Sequence, residues 1–294
     1  MADLHTTRRH SHLTGLGANR AIVRIFLAAA LTWCAGTMAA AGADLYRAKV
    51  TVTGQGEANR MLGFAACLED ALIKVSGAQK LSGDRRLAAY KSKAKDLVTA
   101  FSYRDQFEGK PIRDEQGTRD RPYDLTVDFE ESKINDILQA LGLKPWLSHR
   151  PVLAVFVAME QGPRNYVVTL DGTQSDLQRD ALLAAADKRG MLIVLPGAAA
   201  LAKSNITGET LGTTPLSALA PVAAEQDAEA VLIGRLVWDD RQFGWATQWQ
   251  IDWAGRTHRW QLRGVTFDEA FRRGIGGAAQ ILSGNGDEGD GLRR

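Results

Sequence analysis

The feature that most restricts the fold is a Trp-rich stretch that alternates with a period of two. From residue 243 to 253 the even positions carry Gly, Ala, Gln and Asp, and the odd positions carry Phe243, Trp245, Thr247, Trp249, Ile251 and Trp253. Ala254-Gly255 then predicts a turn, and the returning RTHRWQLRG places His258, Trp260 and Leu262 on one face. Period two in both arms predicts a β-hairpin with one apolar face.

An apolar hairpin face needs a cover, and the next segment supplies one. Thr266-Phe267-Asp268-Glu269 has the capping-box pattern and opens a helix whose apolar stripe is Phe271, Ile275, Ala278 and Leu282. We therefore expect the Trp face to pack on this helix as core. The alternative is an exposed aromatic platform for carbohydrate. A helical interpretation of Trp245, Trp249 and Trp253, which are spaced by four, is disfavoured by the polar residues and glycines between them.

The segments before the hairpin alternate between apolar strands and helices. VLAVFVA, beginning at Val152, MLIVL and AVLIGRLVW are continuous apolar runs, as expected for strands buried on both faces. A helix is predicted over 176–189, and Thr214-Pro215 predicts the start of another that reaches about Asp227. This part of the chain has the α/β pattern.

The preceding part has the order β-α-α-β-β-α. A strand over 46–53 leads into a helix with Leu62, Ala65, Leu68, Leu72 and Val75 as its stripe, which closes at Gly77. A second helix is predicted from the apolar positions between Leu87 and Phe101. SYRDQFE and YDLTVDF follow as strands joined by a long polar loop, and Ser132 is the predicted N-cap of a helix over 133–141.

KPWLSHRP predicts a boundary, because Pro145 and Pro151 stop any continuing helix. The predicted fold class is α+β / α/β, with two small domains that each contain a mixed sheet flanked by helices, the second carrying the Trp-rich antiparallel hairpin. The predicted divisions are a signal peptide over 1–43, a first domain over 44–145, a second domain over 146–282 and a disordered tail over 283–294.

The first 43 residues predict export. Four arginines precede the uncharged run from Ile25 to Ala43, which ends in the A-x-A pattern of a signal-peptide cleavage site. We expect cleavage before Asp44 and a soluble periplasmic protein without an integral membrane segment. The alternative is an inner-membrane protein anchored by the uncleaved segment, since the run is nearly long enough to span.

Removal of this leader changes the charge and cysteine content. The whole chain has a formal net charge of +2, whereas residues 44–294 have 32 basic and 33 acidic residues and a net charge of −1. No basic patch then argues for nucleic acid as a partner. Cys67, the one cysteine after residue 43, lies in an apolar helical pattern and is expected to be a buried thiol.

No motif predicts a catalytic, cofactor or metal site. Gly54-Gln55-Gly56 lacks the third glycine of a dinucleotide loop, and only His149 and His258 remain after residue 43, without metal-ligand spacing. The possible interaction or domain-junction residues are Trp146, His149 and Arg150. Arg150 is the most distinctive, because its guanidinium could tie the two domains together.

The order of these segments resembles a proteobacterial family known as domain of unknown function 2066. The resemblance is carried by ALIKVSG, SYRDQF, LTVDF, LGLKPW, RPVLAVFV and AEAVLIGRL followed by Trp-rich strands, and it covers nearly all of Leu45 to Leu282. The second part also resembles the small α/β module of the TolB amino-terminal region and of LpoB- and CsgG-type envelope lipoproteins. Gly234 matches its glycine, while Ala228-Glu229-Ala230 replaces the usual Gly-Ala-Asp.

The resemblance implies an envelope interaction domain. We therefore expect a secreted envelope protein that acts as a non-catalytic protein-interaction module in the periplasm, with an envelope protein or peptidoglycan as its partner. The alternatives are a carbohydrate- or peptidoglycan-binding protein, which would use the Trp face, and a periplasmic hydrolase, which would need convergent carboxylates or a His in a deep pocket.

Overall fold

A computed structural model describes residues 44–109 and 121–287. Three predicted segments lie outside these ranges. They are the signal peptide, most of the polar loop between the predicted strands SYRDQFE and YDLTVDF, and the last seven residues of the tail. The fold is mixed α and β, as predicted.

The first sheet has three antiparallel strands in the order β1-β3-β2. The elements of this part are β1 Arg47–Thr53, α1 Glu57–Ser76, α2 Ala88–Lys91, β2 Val98–Asp105, β3 Pro122–Phe129 and α3 Glu131–Ala140. Helix α1 packs along β1 and β3 and ends at Gly77, whose φ of +74° gives the left-handed cap expected of glycine. Cys67, Leu68, Leu72 and Val75 are fully buried in this core.

The second sheet is mixed and has the order β5-β4-β7-β8-β9, with β6 also paired to β4. Its elements are β4 Leu153–Gln161, β5 Arg164–Val167, α4 Asp176–Arg189, β6 Ile193–Val194, α5 Ala198–Lys203, α6 Gly208–Leu211, α7 Leu216–Ala224, β7 Ala230–Asp239, β8 Gly244–Trp253, β9 Arg256–Val265 and α8 Phe267–Leu282. Strands β4 and β7 run parallel at its centre and are largely buried, as their continuous apolar sequences predict. Helices α4 and α8 cover one face of this sheet, and helices α6 and α7 cover the other face over β4 and β7.

The Trp-rich hairpin packs against α8, so the prediction of core is confirmed. Trp249 is 1% exposed, and Trp245 and Trp260 are also buried. Thr266 caps α8 by accepting a hydrogen bond from the Glu269 backbone N–H at 3.2 Å. The alternative of an exposed platform formed by this face is wrong, because its central indoles are covered by the helix.

Glycines allow the helix to approach this closely. A Cβ added at Gly274 of α8 would lie 2.4 Å from the Trp249 ring, and one at Gly234 of β7, which pairs with Trp249, would lie 2.5 Å from the same ring. Trp249 is therefore held between two glycines, one on the neighbouring strand and one on the helix. Its ring also stacks on Trp260, with centroids 6.5 Å apart.

The predicted second helix, between Leu87 and Phe101, is wrong. Only Ala88–Lys91 forms an α-helical turn, and Val98–Asp105 pairs with β3 as an antiparallel strand. The β-branched and aromatic residues after Leu97 favour a pleated surface once a partner strand is available. Phe101 is consequently on β2 and 46% exposed.

Smaller differences concern the ends and faces of elements. Glu130 is the N-cap of α3, and Ser132, the predicted cap, instead donates its hydroxyl to the Glu130 carboxylate at 3.0 Å. Leu62, assigned to the apolar stripe of α1, is exposed. Phe243 is also exposed, because it lies in the turn before β8 with φ +47°. Strand β5 and helices α5 and α6 were not predicted.

The part of the chain from Leu45 onward forms one compact unit that includes both sheets. The predicted domain division at residue 145 falls between α3 and β4, where the elements around the first sheet end and those of the second sheet begin. The division into two domains stays a prediction. Residues 283–287, the start of the predicted disordered tail, contact the rest of the chain. The Asn285 amide Nδ2 donates to the backbone carbonyls of Ser76, at 2.7 Å, and Lys144, at 2.9 Å.

Candidate functional site

The three predicted junction residues lie in the segment between α3 and β4. Trp146 is buried, and its backbone N–H donates to the Val75 carbonyl at 2.8 Å. The Arg150 guanidinium carbon lies 4.3 Å from the centroid of the Trp146 ring, a cation–π distance. The structure thus brings Trp146 and Arg150 together, while His149 points elsewhere.

Arg150 joins the C-terminal ends of two helices. Its Nη2 donates to the Lys74 carbonyl at 2.8 Å in the last turn of α1, and its Nη1 donates to the Arg189 carbonyl at 3.0 Å at the end of α4. These carbonyls have no partners within their helices and carry partial negative charge. Burial lowers the pKa of Arg150 to about 10. The contacts make Arg150 a structural tie that binds carbonyls instead of a carboxylate.

His149 forms an exposed pair with Glu229. Its Nε2 lies 2.8 Å from each carboxylate oxygen, and the Val152 backbone N–H donates to Glu229 Oε1 at 3.2 Å. The hydrogen bond from His149, followed by that from Val152, holds the pKa of the Glu229 carboxyl below its usual range. The pair links the junction segment to the start of β7.

Cys67 is a buried thiol, as predicted. Its side chain is fully enclosed in the first core, and burial, with the nearby Asp70 carboxylate, raises its pKa to about 12. Because the thiolate is the reactive form, the group is protonated and unreactive at neutral pH in the folded protein.

A charged cavity between α1, α4 and α8 was missed by the sequence analysis. It has a volume of about 370 Å³, and its lining includes Glu69, Asp70, Lys188, Arg189, Glu269 and Arg272. These residues come from segments up to 203 positions apart, from Glu69 to Arg272, so no local motif marks them. The one available signal is Lys188-Arg189 at the end of a helix whose preceding residues pack in the core.

The outer face of β8 and β9 is a second surface of interest. Between Thr257 and Arg263, the side chains on the side of β9 that faces away from the buried Trp260 are exposed. They belong to Thr257, Arg259, Gln261 and Arg263. Gln248 and Gln250 stand beside Gln261 and Arg259 on β8. Within the described ranges, β9 pairs with β8 alone, so it is an edge strand of this sheet. We call this surface the β9 face.

A wide open cavity of about 980 Å³ lies beside β5 and the start of α4. Half of its twelve lining residues are neutral amides or aromatic rings, namely Gln161, Asn165, Tyr166, Gln174, Gln178 and Trp245, and Arg164 and Asp176 are its charged residues. Trp245 is 7% exposed, so it adds little surface to the cavity. The cavity can offer hydrogen bonds from its amides, with only two charged residues in its lining.

The comparison with known families identifies a similarity over the first part of the chain. Residues 39–147 are similar to the family described as Domain of unknown function (DUF8605). This region contains the first sheet and α1 to α3 and ends at the junction, so the β9 face lies outside it. No curated protein matches the chain.

Two further findings apply to residues 44–109 and 121–287. No group of three or more His, Cys, Asp or Glu side chains is placed to hold a metal ion. No helix in these ranges combines the length and apolar character needed to cross a membrane.

Proposed function

We propose that the protein is an exported, non-catalytic interaction module of the bacterial envelope, and that its β9 face binds an acidic extended segment of a partner protein. Export and an envelope setting are supported by the leader-like first 43 residues and by the resemblance to domain of unknown function 2066 and to the TolB, LpoB and CsgG type of module. The binding surface is supported by the chemistry of β9.

The observation that carries this proposal is the pair of exposed guanidinium groups on the edge strand β9. No ion-pair partner is found for Arg259 or Arg263 in the described ranges, and the Arg259 Nε donates to the neutral Gln250 amide at 3.0 Å. An extended segment can add to an open edge through backbone hydrogen bonds, while its side chains contact the neighbouring face. Carboxylates on that segment would complement the arginines.

The experiment begins with a photo-crosslinking amino acid in place of Gln261, with the same group in place of the exposed Lys93 as the matched control. The crosslinked envelope protein is identified by mass spectrometry and purified, and its Kd is measured against the full chain. We expect Arg259→Gln/Arg263→Gln to raise this Kd about tenfold at low ionic strength, with the difference shrinking in salt.

The control for charge is Arg179→Gln, which removes an arginine of α4 that pairs with Asp176 away from the β9 face. Equal crosslinking from positions 93 and 261, or a Kd that the double substitution leaves unchanged, would contradict the proposed surface.

A carbohydrate-binding role is the second candidate, and the cavity beside β5 favours it. Neutral amides with aromatic rings suit the hydroxyl groups and apolar faces of sugars, although the indoles of Trp245, Trp249 and Trp260 in the hairpin are buried. The test is a titration with soluble N-acetylglucosamine oligomers, monitored by Trp fluorescence. If the cavity binds them, Gln174→Ala and Gln178→Ala weaken binding and Gln248→Ala, on the β9 face, does not. An unchanged spectrum at millimolar oligomer rejects this candidate.

A further inference from the structure

Arg189 is a buried cation with unused hydrogen-bonding capacity. It is 4% exposed and lines the charged cavity between α1, α4 and α8. Its Nε donates to the Gln79 side-chain oxygen at 3.0 Å, whereas its Nη1 has no hydrogen-bond partner in the part of the chain described. The closest carboxylate oxygen to Nη1, Asp70 Oδ1, lies at 3.6 Å. Buried donors of this kind are rare, because leaving one unsatisfied costs free energy.

The carboxylates of this cavity are shared among more cations than they can neutralise. Asp70 pairs with both Lys188, at 2.8 Å, and Arg189. Glu269 pairs with both Arg272, at 2.8 Å, and Arg273, at 2.6 Å.

The third carboxylate of the lining does not remove this imbalance. Glu69 is matched by Lys91 at 2.6 Å. The three carboxylates of the lining therefore face four lining cations, Lys91, Lys188, Arg189 and Arg272, which leaves a surplus of one positive charge at the cavity. Burial lowers the pKa of Arg189, and the nearby positive charge of Arg272 adds to this effect against the opposing influence of Asp70.

We propose that this cavity binds a small oxyanion, a carboxylate or phosphate group, which accepts hydrogen bonds from Arg189 Nη1 and is held by Lys188 and Arg272. A guanidinium matches the planar arrangement of oxygens in both groups. A volume of about 370 Å³ admits a small anion with a short body. The site does not depend on the β9 face.

The test uses the full chain at matched ionic strength, with sodium phosphate or sodium succinate replacing sodium chloride. A ligand that binds only the folded state raises the unfolding midpoint in a saturable way. We expect at least one of the two anions to do so, and to shift the side-chain NMR signal of Arg189 Nε–Hε. The anion that acts distinguishes a phosphate source from a carboxylate source.

Variants connect the effect to the cavity. Arg272→Gln and Lys188→Gln, which change partly exposed side chains, are each expected to raise the anion's Kd about tenfold, as for loss of a charged hydrogen-bonding partner. Arg179→Gln on the same helix keeps the wild-type response. If neither anion shifts the midpoint beyond chloride, or if Arg272→Gln responds as the wild type does, the cavity is an internal ion cluster and the proposal fails.

Discussion

At the scale of single residues, Arg150 makes contacts that the sequence alone could not specify. The boundary prediction gave it a tying role, but the partners are backbone carbonyls of two helix ends, which no side-chain pattern reveals. Trp146, four residues earlier, was predicted only as part of the same junction, and it supplies both a ring and a carbonyl to the guanidinium at 3.1 Å. The junction segment thus identified Trp146 and Arg150, but which helix ends they contact is determined by the tertiary fold.

We expect Arg150→Gln to lower the free energy of unfolding by about 3 kcal/mol, because buried carbonyls lose charged donors. Arg150→Lys should recover only part of this, since an ammonium cannot reach both helix ends with a planar fork. Urea denaturation measures the change, with Arg85→Gln, at an exposed position, as a surface control that stays within about 0.5 kcal/mol. A value for Arg150→Gln equal to that control would contradict the tie.

Cys67 provides a prediction on pH. Its thiol ionises near pH 9 in the unfolded chain and near 12 in the fold, so the unfolded state loses its proton first. The stability that the neutral buried thiol contributes is present below pH 9 and is lost as pH rises toward 12. The decline of unfolding free energy in this window should be shallower for Cys67→Ala. A thiol reagent should label native protein at pH 8 far more slowly than protein in urea, and equal rates would disprove burial.

At the scale of elements, the patterns that were easiest to interpret were those with a buried face. Period two in the hairpin, the bounds 176–189 of α4 and the Thr266 cap of α8 all appear in the structure as predicted. The helix prediction for the region after Leu87 was wrong, because apolar residues spaced by three and four also fit a strand preceded by turns. Its identity depends on pairing with β3, which is a contact distant in sequence.

The packing of α8 on the hairpin leads to a pair of stability predictions. Trp249→Ala should lower the free energy of unfolding by about 3 to 5 kcal/mol through loss of a buried indole. Gly274→Ala should cost about 1 to 3 kcal/mol, because the added methyl group overlaps the Trp249 ring. Thermal and urea unfolding measure both.

The matched control for Gly274→Ala is Gly56→Ala, where an added Cβ meets no atom within 4 Å. If alanine at position 274 were as well tolerated as alanine at position 56, the close approach of helix and ring would be refuted.

At the scale of the whole molecule, several polar contacts connect the part built on the first sheet with the part built on the second. The Lys80 backbone N–H donates to the Gln280 side chain at 2.8 Å, and the Lys144 N–H donates to Asn285 Oδ1 at 3.0 Å. Arg150 and the Lys188–Asp70 ion pair add to these. None follows from composition or periodicity, because each joins residues that are far apart in the sequence.

These contacts predict that the chain from Leu45 onward unfolds in one cooperative transition. The contacts that bridge the two parts break together, because opening either part alone would leave buried carbonyls and charges without partners. Calorimetry should give a single peak whose calorimetric and van't Hoff enthalpies agree. Asn285→Ala should lower the midpoint through the unpaired Ser76 and Lys144 carbonyls, while the conservative Asn285→Asp should keep the bond from Lys144 N–H but not those to the carbonyls. Two separate peaks in the wild type would instead support independent domains divided at residue 145.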